Sequence, residues 1–137
     1  MWLRSALRDE SGFSLTELLV VLVIIGILAL LAIPRFLSIT TKAKTSEAKA
    51  NLSHLYTLQQ TYYFERDQYA ADLVTLGFEQ PVLTRDGGSA YYEYAVEEAS
   101  EGVFIVTAVS SVDFDKDGVF NEWAINEQKQ LVERTPD

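Results

Sequence analysis

From Gly12 to Pro34 the chain reads Gly-Phe-Ser-Leu-Thr-Glu-Leu-Leu-Val-Val-Leu-Val-Ile-Ile-Gly-Ile-Leu-Ala-Leu-Leu-Ala-Ile-Pro, an apolar run with one carboxylate, Glu17, at its head. Leu18 to Ile33 holds 16 residues without a polar side chain. Extended to Phe13 and Leu37, the run makes roughly 37 Å of helix at about 1.5 Å per residue, against a hydrocarbon core of about 30 Å. It can cross a bilayer once. Gly26 and Pro34 are its weak points, because glycine is a poor helix former and Pro34 cannot donate to the carbonyl of Leu30. A charge at the edge of a membrane helix is costly and is kept where something pairs with it. The placement of Glu17 therefore predicts a partner outside this segment. The competing reading is a helix-start acid, favoured by the helix dipole and flanked by Ser14 and Thr16 as caps.

Residues 1–12 are short and polar, with Arg4 and Arg8 to hold that end in the cytoplasm. A secretory signal would place its small-residue cleavage site after the apolar stretch, and Ala32-Ile33-Pro34 offers no good site there. The apolar segment is therefore expected to be retained, with any cut before it. The short leader, the Gly12–Phe13 junction and Glu17 five residues beyond the cut together resemble the class III signal of type IV pilins and of the pseudopilins of type II secretion. Asp9 and Glu10 depart from that pattern, since pilin leaders usually carry Lys or Arg beside the glycine. The resemblance implies processing at Gly12 and Phe13 by a prepilin peptidase, methylation of the Phe13 amine, and polymerisation through the apolar helix. It implies assembly roles for Phe13, Glu17, Gly26 and Pro34. The new Phe13 amine of one subunit would neutralise Glu17 of a neighbour, leaving no unpaired charge in an apolar core. The stretch between Gly26 and Pro34 would loosen in the filament.

Three parts are expected: a leader (1–12), a transmembrane and assembly helix (13–37), and a globular domain (38–137). Residues 35–64 lack Gly and Pro, and Ala48, Leu52, Leu55, Leu58 and Tyr62 recur at spacings of three and four. The membrane helix and this amphipathic stretch read as one continuous helix. Asp67, Asp72, Gly77, Pro81 and Asp86-Gly87-Gly88 mark a loop, with a short helix expected around Ala71–Leu76. Strands are expected at Tyr91–Val96, Val103–Val109, Val119–Ile125 and Gln130–Glu133, with turns at Glu101-Gly102 and Asn126-Glu127. The expected fold class is α+β, a pilin-like roll. One long N-terminal helix, membrane-spanning in its first half, packs on a C-terminal antiparallel sheet.

The chain has no cysteine, so its ends must be tied by something other than a disulfide. Residues 35–50 carry four basic side chains against one acidic, and residues 51–137 carry sixteen acidic against five basic. The acidic part disfavours nucleic-acid phosphate, and no nucleic-acid contact is expected from charge. The basic collar reads as a solvated helix face, a contact for lipid headgroups, or a contact for acidic surfaces of neighbouring copies.

The second informative stretch is Asp113-Phe114-Asp115-Lys116-Asp117-Gly118-Val119-Phe120-Asn121-Glu122-Trp123. Three aspartates at alternate positions before a glycine resemble the front half of a calcium loop, and Ca²⁺ seeks six to eight oxygens. Asp113, Asp115, Asp117, the carbonyl of Val119, Asn121 and Glu122 are the candidate ligands. The twelfth position of an EF-hand loop would fall on Ala124, so that motif is incomplete. The competing reading is a polar turn with solvated acids.

No phosphate loop, Cys-His cluster or nucleophile elbow is present, and His54 is the sole histidine. No enzyme is expected. Tyr56, Tyr62, Tyr63, Phe64 and Tyr69 read chiefly as core packing. The leading expectation is a structural pilin: inserted as an inner-membrane precursor, cut by the prepilin peptidase, and built with inner-membrane machinery into a homopolymeric extracellular filament. The alternatives are a type II secretion pseudopilin and a signal-anchored periplasmic calcium-binding domain that never polymerises.

Overall fold

A computed structural model describes residues 12–137, the side chains of residues 33–38 excepted. The expected leader before Gly12 lies outside the described residues. The chain divides into two compact units, Met1–Ile39 and Thr40–Asp137. Helix α1 (Leu15–Arg66) is assigned across the division.

In the first unit, Leu15–Ala32 has a mean hydropathy of 2.9 and none of it is buried. Leucine, isoleucine and valine face outward on every side, so the unit offers a surface that only lipid or other protein can cover. A Cβ added at Gly26 would meet nothing within 4 Å, so local space does not demand a glycine there. The helical assignment continues through Pro34, whose ring contacts fall outside the described side chains.

In the second unit the expected stripe faces inward. Ala48, Leu52 and Leu55 are fully buried, and Leu58 and Tyr62 pack against the same core. Asp67, at φ 56, adopts the left-handed conformation and ends the helix, its N–H donating to the Tyr63 carbonyl at 2.8 Å. Gln59 also lies on the inward face and is fully buried, a polar residue that the apolar stripe did not reveal. Its Nε2 donates to the Ala70 carbonyl and its Oε1 accepts the Ala70 N–H, both at 2.8 Å. The side chain thus pairs with a loop backbone as a neighbouring strand would, and it pins the chain as it leaves the helix.

Four strands form one antiparallel sheet in the order β1-β2-β3-β4: β1 (Tyr92–Ala99), β2 (Phe104–Ser110), β3 (Glu122–Asn126) and β4 (Leu131–Thr135). Tyr92, Tyr94, Phe104, Val106, Ala108 and Ile125 turn to the helix and complete the core. Full burial of each large apolar side chain contributes about 1.5–3 kcal/mol. The Ser100 N–H to Val103 carbonyl bond, 2.9 Å, closes the turn at Glu101-Gly102. Across the sheet, Arg134 of β4 contacts Glu122 of β3 at 3.1 Å and Glu97 of β1 at 2.6 Å.

The loop before the sheet departs from expectation. No helix forms at 71–76. The Asp72 carboxylate instead accepts the Thr75 N–H and hydroxyl, and turn bonds from Gly77 to Val74 and from Phe78 to Leu73 close the segment. Capping by Asp72 organises a turn here rather than a full helical run. A 3₁₀ turn at Thr84–Asp86, unforeseen from the sequence, ends at Gly87 with φ 87. Strand β3 starts at Glu122 rather than Val119, because the acidic loop commits the intervening backbone to its own side chains.

The basic collar is partly spent within the chain. Lys44 Nζ lies 5.0 Å from the Tyr91 ring centre and 4.7 Å from that of Phe114, and Lys49 Nζ lies 4.3 Å from that of Trp123. The aromatic cluster is divided. Tyr63 stacks on Tyr69 at 4.7 Å, while Phe64 is exposed. His54 is exposed beside Phe78.

Candidate assembly head and acidic loop

Gly12 and Phe13 stand immediately before helix α1, and Phe13 is 82% exposed. The junction is therefore exposed next to the helix. Ser14 caps the helix that follows. Its Oγ accepts the Glu17 N–H at 3.2 Å, while Glu17 Oε2 accepts the Ser14 N–H at 2.9 Å and its hydroxyl at 2.8 Å. This is a reciprocal capping box, a Ser followed three residues on by Glu, each satisfying a donor of the other. Within one chain, Ser14 supplies two donors to Glu17. The helix-start reading describes the single chain. Glu17 itself remains exposed at the head of the apolar surface.

At the other end of the chain the three loop aspartates converge. Asp113 accepts the N–H groups of Lys116 and of Gly118, the latter at 2.8 Å. Asp115 accepts the Asp117 N–H at 3.1 Å, and Asp117 that of Val119 at 2.7 Å. Each acid folds the backbone after it into a turn. Lys116 (φ 65) and Gly118 (φ 90) take the left-handed conformation that the tight wrap needs.

The fourth carboxylate is Asp137, which the sequence reading did not nominate. It accepts the N–H groups of Phe114 at 2.9 Å and Asp115 at 3.1 Å. Ligand oxygens from Asp113, Asp115, Asp117 and Asp137 all lie within 4.8 Å of one another. Partial desolvation raises the Asp115 pKa from its ordinary value and the neighbouring charges of Asp117 and Asp137 add to the rise, against the lowering effect of the Asp117 N–H that it accepts. Crowded acids of this kind gain from a proton or a cation.

Asn121 and Glu122 are placed elsewhere. Asn121 is fully buried: its Oδ1 accepts the Tyr92 hydroxyl at 2.7 Å, and its Nδ2 donates to Glu133 at 2.8 Å and to the Thr135 carbonyl at 3.0 Å. Glu122 faces Arg134. Both are correctly seen as polar in the sequence, but the start of β3 turns them to the sheet and its C-terminal neighbour. Val119 remains beside the loop, tied through its N–H to Asp117. Asp137 had no local signal, since it reaches the loop across more than twenty residues of chain.

Comparison with known proteins agrees with the N-terminal end. Residues 7–33 match the prokaryotic N-terminal methylation motif. Residues 34–118 match the family described as type IV minor pilin ComP, DNA uptake sequence receptor. The chain is 48% identical over 67 residues to the type IV major pilin protein PilA of Myxococcus xanthus, covering 49% of this chain and 30% of that protein. It is 31% identical over 114 residues to the type IV major pilin protein PilE1 of Neisseria gonorrhoeae, covering 82% of this chain and 62% of that one. It is also 37% identical over 62 residues to the type II secretion system core protein G of Pseudomonas aeruginosa, covering 45% of this chain and 44% of that one. The chain thus spans less than two thirds of the length of each of these relatives. A methylation motif on the apolar helix, a pilin family match over most of the remainder and the helix-on-sheet fold converge: this chain belongs to the type IV pilin family.

Proposed function

We propose that this chain is the structural subunit of a type IV pilus filament, held in the inner membrane as a precursor and packed into an extracellular fibre through its apolar helix. One observation carries the reading. Leu15–Ala32 presents an apolar surface on all sides with none of it covered by its own chain. Lipid covers such a surface in the precursor, and copies of the same helix cover it in a polymer. Cutting between Gly12 and Phe13 by a prepilin peptidase frees an amine beside Glu17. In the polymer this amine, on a neighbouring subunit, replaces Ser14 as the main partner of the carboxylate. The chain is the substrate of that processing, and its role is structural.

Glu17→Ala tests the proposal. Membrane insertion should persist, while sheared surface filaments should fall to a small fraction of the parent level. Filaments assembling at the parent level would remove its physical basis. Mass spectrometry of the N-terminus separates the two family readings. N-methyl-Phe13 in sheared filaments supports the pilus, whereas processed Phe13 confined to the membrane pellet supports the pseudopilin of type II secretion, a reading that the 37% identity to core protein G over 62 residues keeps in view.

The proposal extends to the acidic loop as a Ca²⁺ site that fastens the distal end of the subunit. Asp113, Asp115, Asp117 and Asp137 supply the carboxylate oxygens and Val119 its carbonyl, the oxygen-only chemistry that Ca²⁺ takes. Calcium binding would raise the melting temperature in proportion to the logarithm of its concentration. A melting temperature that is the same in calcium and in chelator would dispose of this extension and leave the filament reading intact.

A further inference from the structure

We infer that Asp86–Gly87 is a site of spontaneous backbone isomerisation, and that the other Asp-Gly pair of the chain, Asp117–Gly118, is shielded from the same reaction by its loop. In an Asp-Gly pair the backbone nitrogen of glycine attacks the side-chain carboxyl carbon. A new N–C bond closes a five-membered imide, and one water leaves, made from a carboxyl oxygen, the carboxyl proton and the amide proton. Water then adds to the main-chain carbonyl of the ring and breaks its bond to the glycine nitrogen. The chain now runs through the aspartate side chain, with composition and mass unchanged. Glycine favours the reaction because it has no Cβ to obstruct the approach.

The two pairs differ in what must be given up first. Asp86 has a side chain 63% exposed, and its contact with Arg85 Nε is long, 3.6 Å, while that guanidinium sits on Glu93 at 2.8 Å. The attacking Gly87 nitrogen donates to the Thr84 carbonyl at 3.3 Å, beyond the ordinary range for such bonds. At the second pair, the Gly118 N–H is given to the charged Asp113 carboxylate at 2.8 Å, and the Asp117 carboxylate is held by the Val119 N–H at 2.7 Å. Releasing the bond to a charged acceptor slows Asp117 by roughly tenfold or more relative to Asp86.

Isomerisation at Asp86 has a structural consequence. It lengthens the main chain by one carbon where the segment leading to β1 is folded tightly on itself. There the Gly88 N–H bonds the Leu83 carbonyl at 2.9 Å, the Thr84 N–H bonds the Ala90 carbonyl at 2.8 Å, and a Cβ at Gly88 would collide with the Val82 backbone. The altered loop cannot keep all of these contacts, so the site acts as a slow ageing point on an otherwise ordered surface.

The test incubates the full chain in detergent micelles in water enriched in heavy oxygen, at mildly acidic pH, folded and in urea. Proteolysis and mass spectrometry with backbone fragmentation then score label and β-linkage at both pairs. Folded protein should accumulate label at Asp86 roughly tenfold faster than at Asp117, and urea should bring the two rates together. Asp86→Glu, which would need a six-membered ring, should remove the signal at that position. Equal labelling of both pairs in folded protein, or none at Asp86, would overturn the inference.

Discussion

The Gln59 side chain offers a direct measurement of how a polar group holds this fold. Gln59→Met keeps the length and nearly the volume of the side chain, so it leaves little cavity, and it removes both bonds to Ala70. Ala70 is 2% exposed, and its N–H and carbonyl would be left facing a thioether. Two buried backbone groups orphaned at about 1–3 kcal/mol each, less the gain from a more apolar side chain, predict a loss of about 2–4 kcal/mol. With m-values of about 1–3 kcal/mol/M, the urea midpoint of the full chain in micelles should fall by roughly 1–3 M with the slope unchanged. Circular dichroism follows the transition. Hydrogen exchange should show the Ala70 amide losing protection well before the sheet amides. A loss below about 1 kcal/mol would refute the reasoning, because it would mean that Ala70 finds other partners at little cost.

Other outcomes follow from the same contacts. Asn121→Leu should cost about 2–4 kcal/mol, since it strands the buried Tyr92 hydroxyl and the Thr135 carbonyl, and exchange of the β4 amides should rise more than exchange of β1. Asp72 has its pKa held below the ordinary 3.8 by the Thr75 N–H and hydroxyl. A lowered folded pKa gives stability that is present above the unfolded value and lost as pH falls through the folded one, so the deficit of Asp72→Asn should be full at neutral pH and close below 3.8. Urea titrations of both proteins across that range check it. Duplex DNA should bind the full chain no more tightly than about 10⁻⁴–10⁻⁶ M at physiological salt, as the acidic balance of residues 51–137 dictates, and sequence-selective binding at nanomolar concentration would contradict the charge reading.

What could be read from the sequence was whatever is carried by neighbours along the chain. The stripe from Ala48 to Tyr62 repeats every three or four residues, and its inward face followed from that spacing alone. The four strands were legible because β-branched and aromatic residues cluster between turn residues, though β3 begins three residues late. The misses were long-range or local competitions. Gln59 breaks no helical pattern, yet its partner lies eleven residues away in a loop. Asp137 joins the acidic loop only once β4 has brought it there. At 71–76 a single capping carboxylate was enough to favour a turn over the helix that composition suggested. At Glu17 both readings were visible, and geometry shows how one chain serves the acid locally while leaving it at the head of the exposed run.

The tie between the acidic loop and the last strand is made wholly of hydrogen bonds, through Asn121 and Asp137. A cystine at such a place would need an oxidising compartment and a catalyst to form it, and a reductant would open it. This closure is indifferent to the thiol balance of its surroundings. It can form on either side of a membrane and reform after mechanical opening without any chemical step.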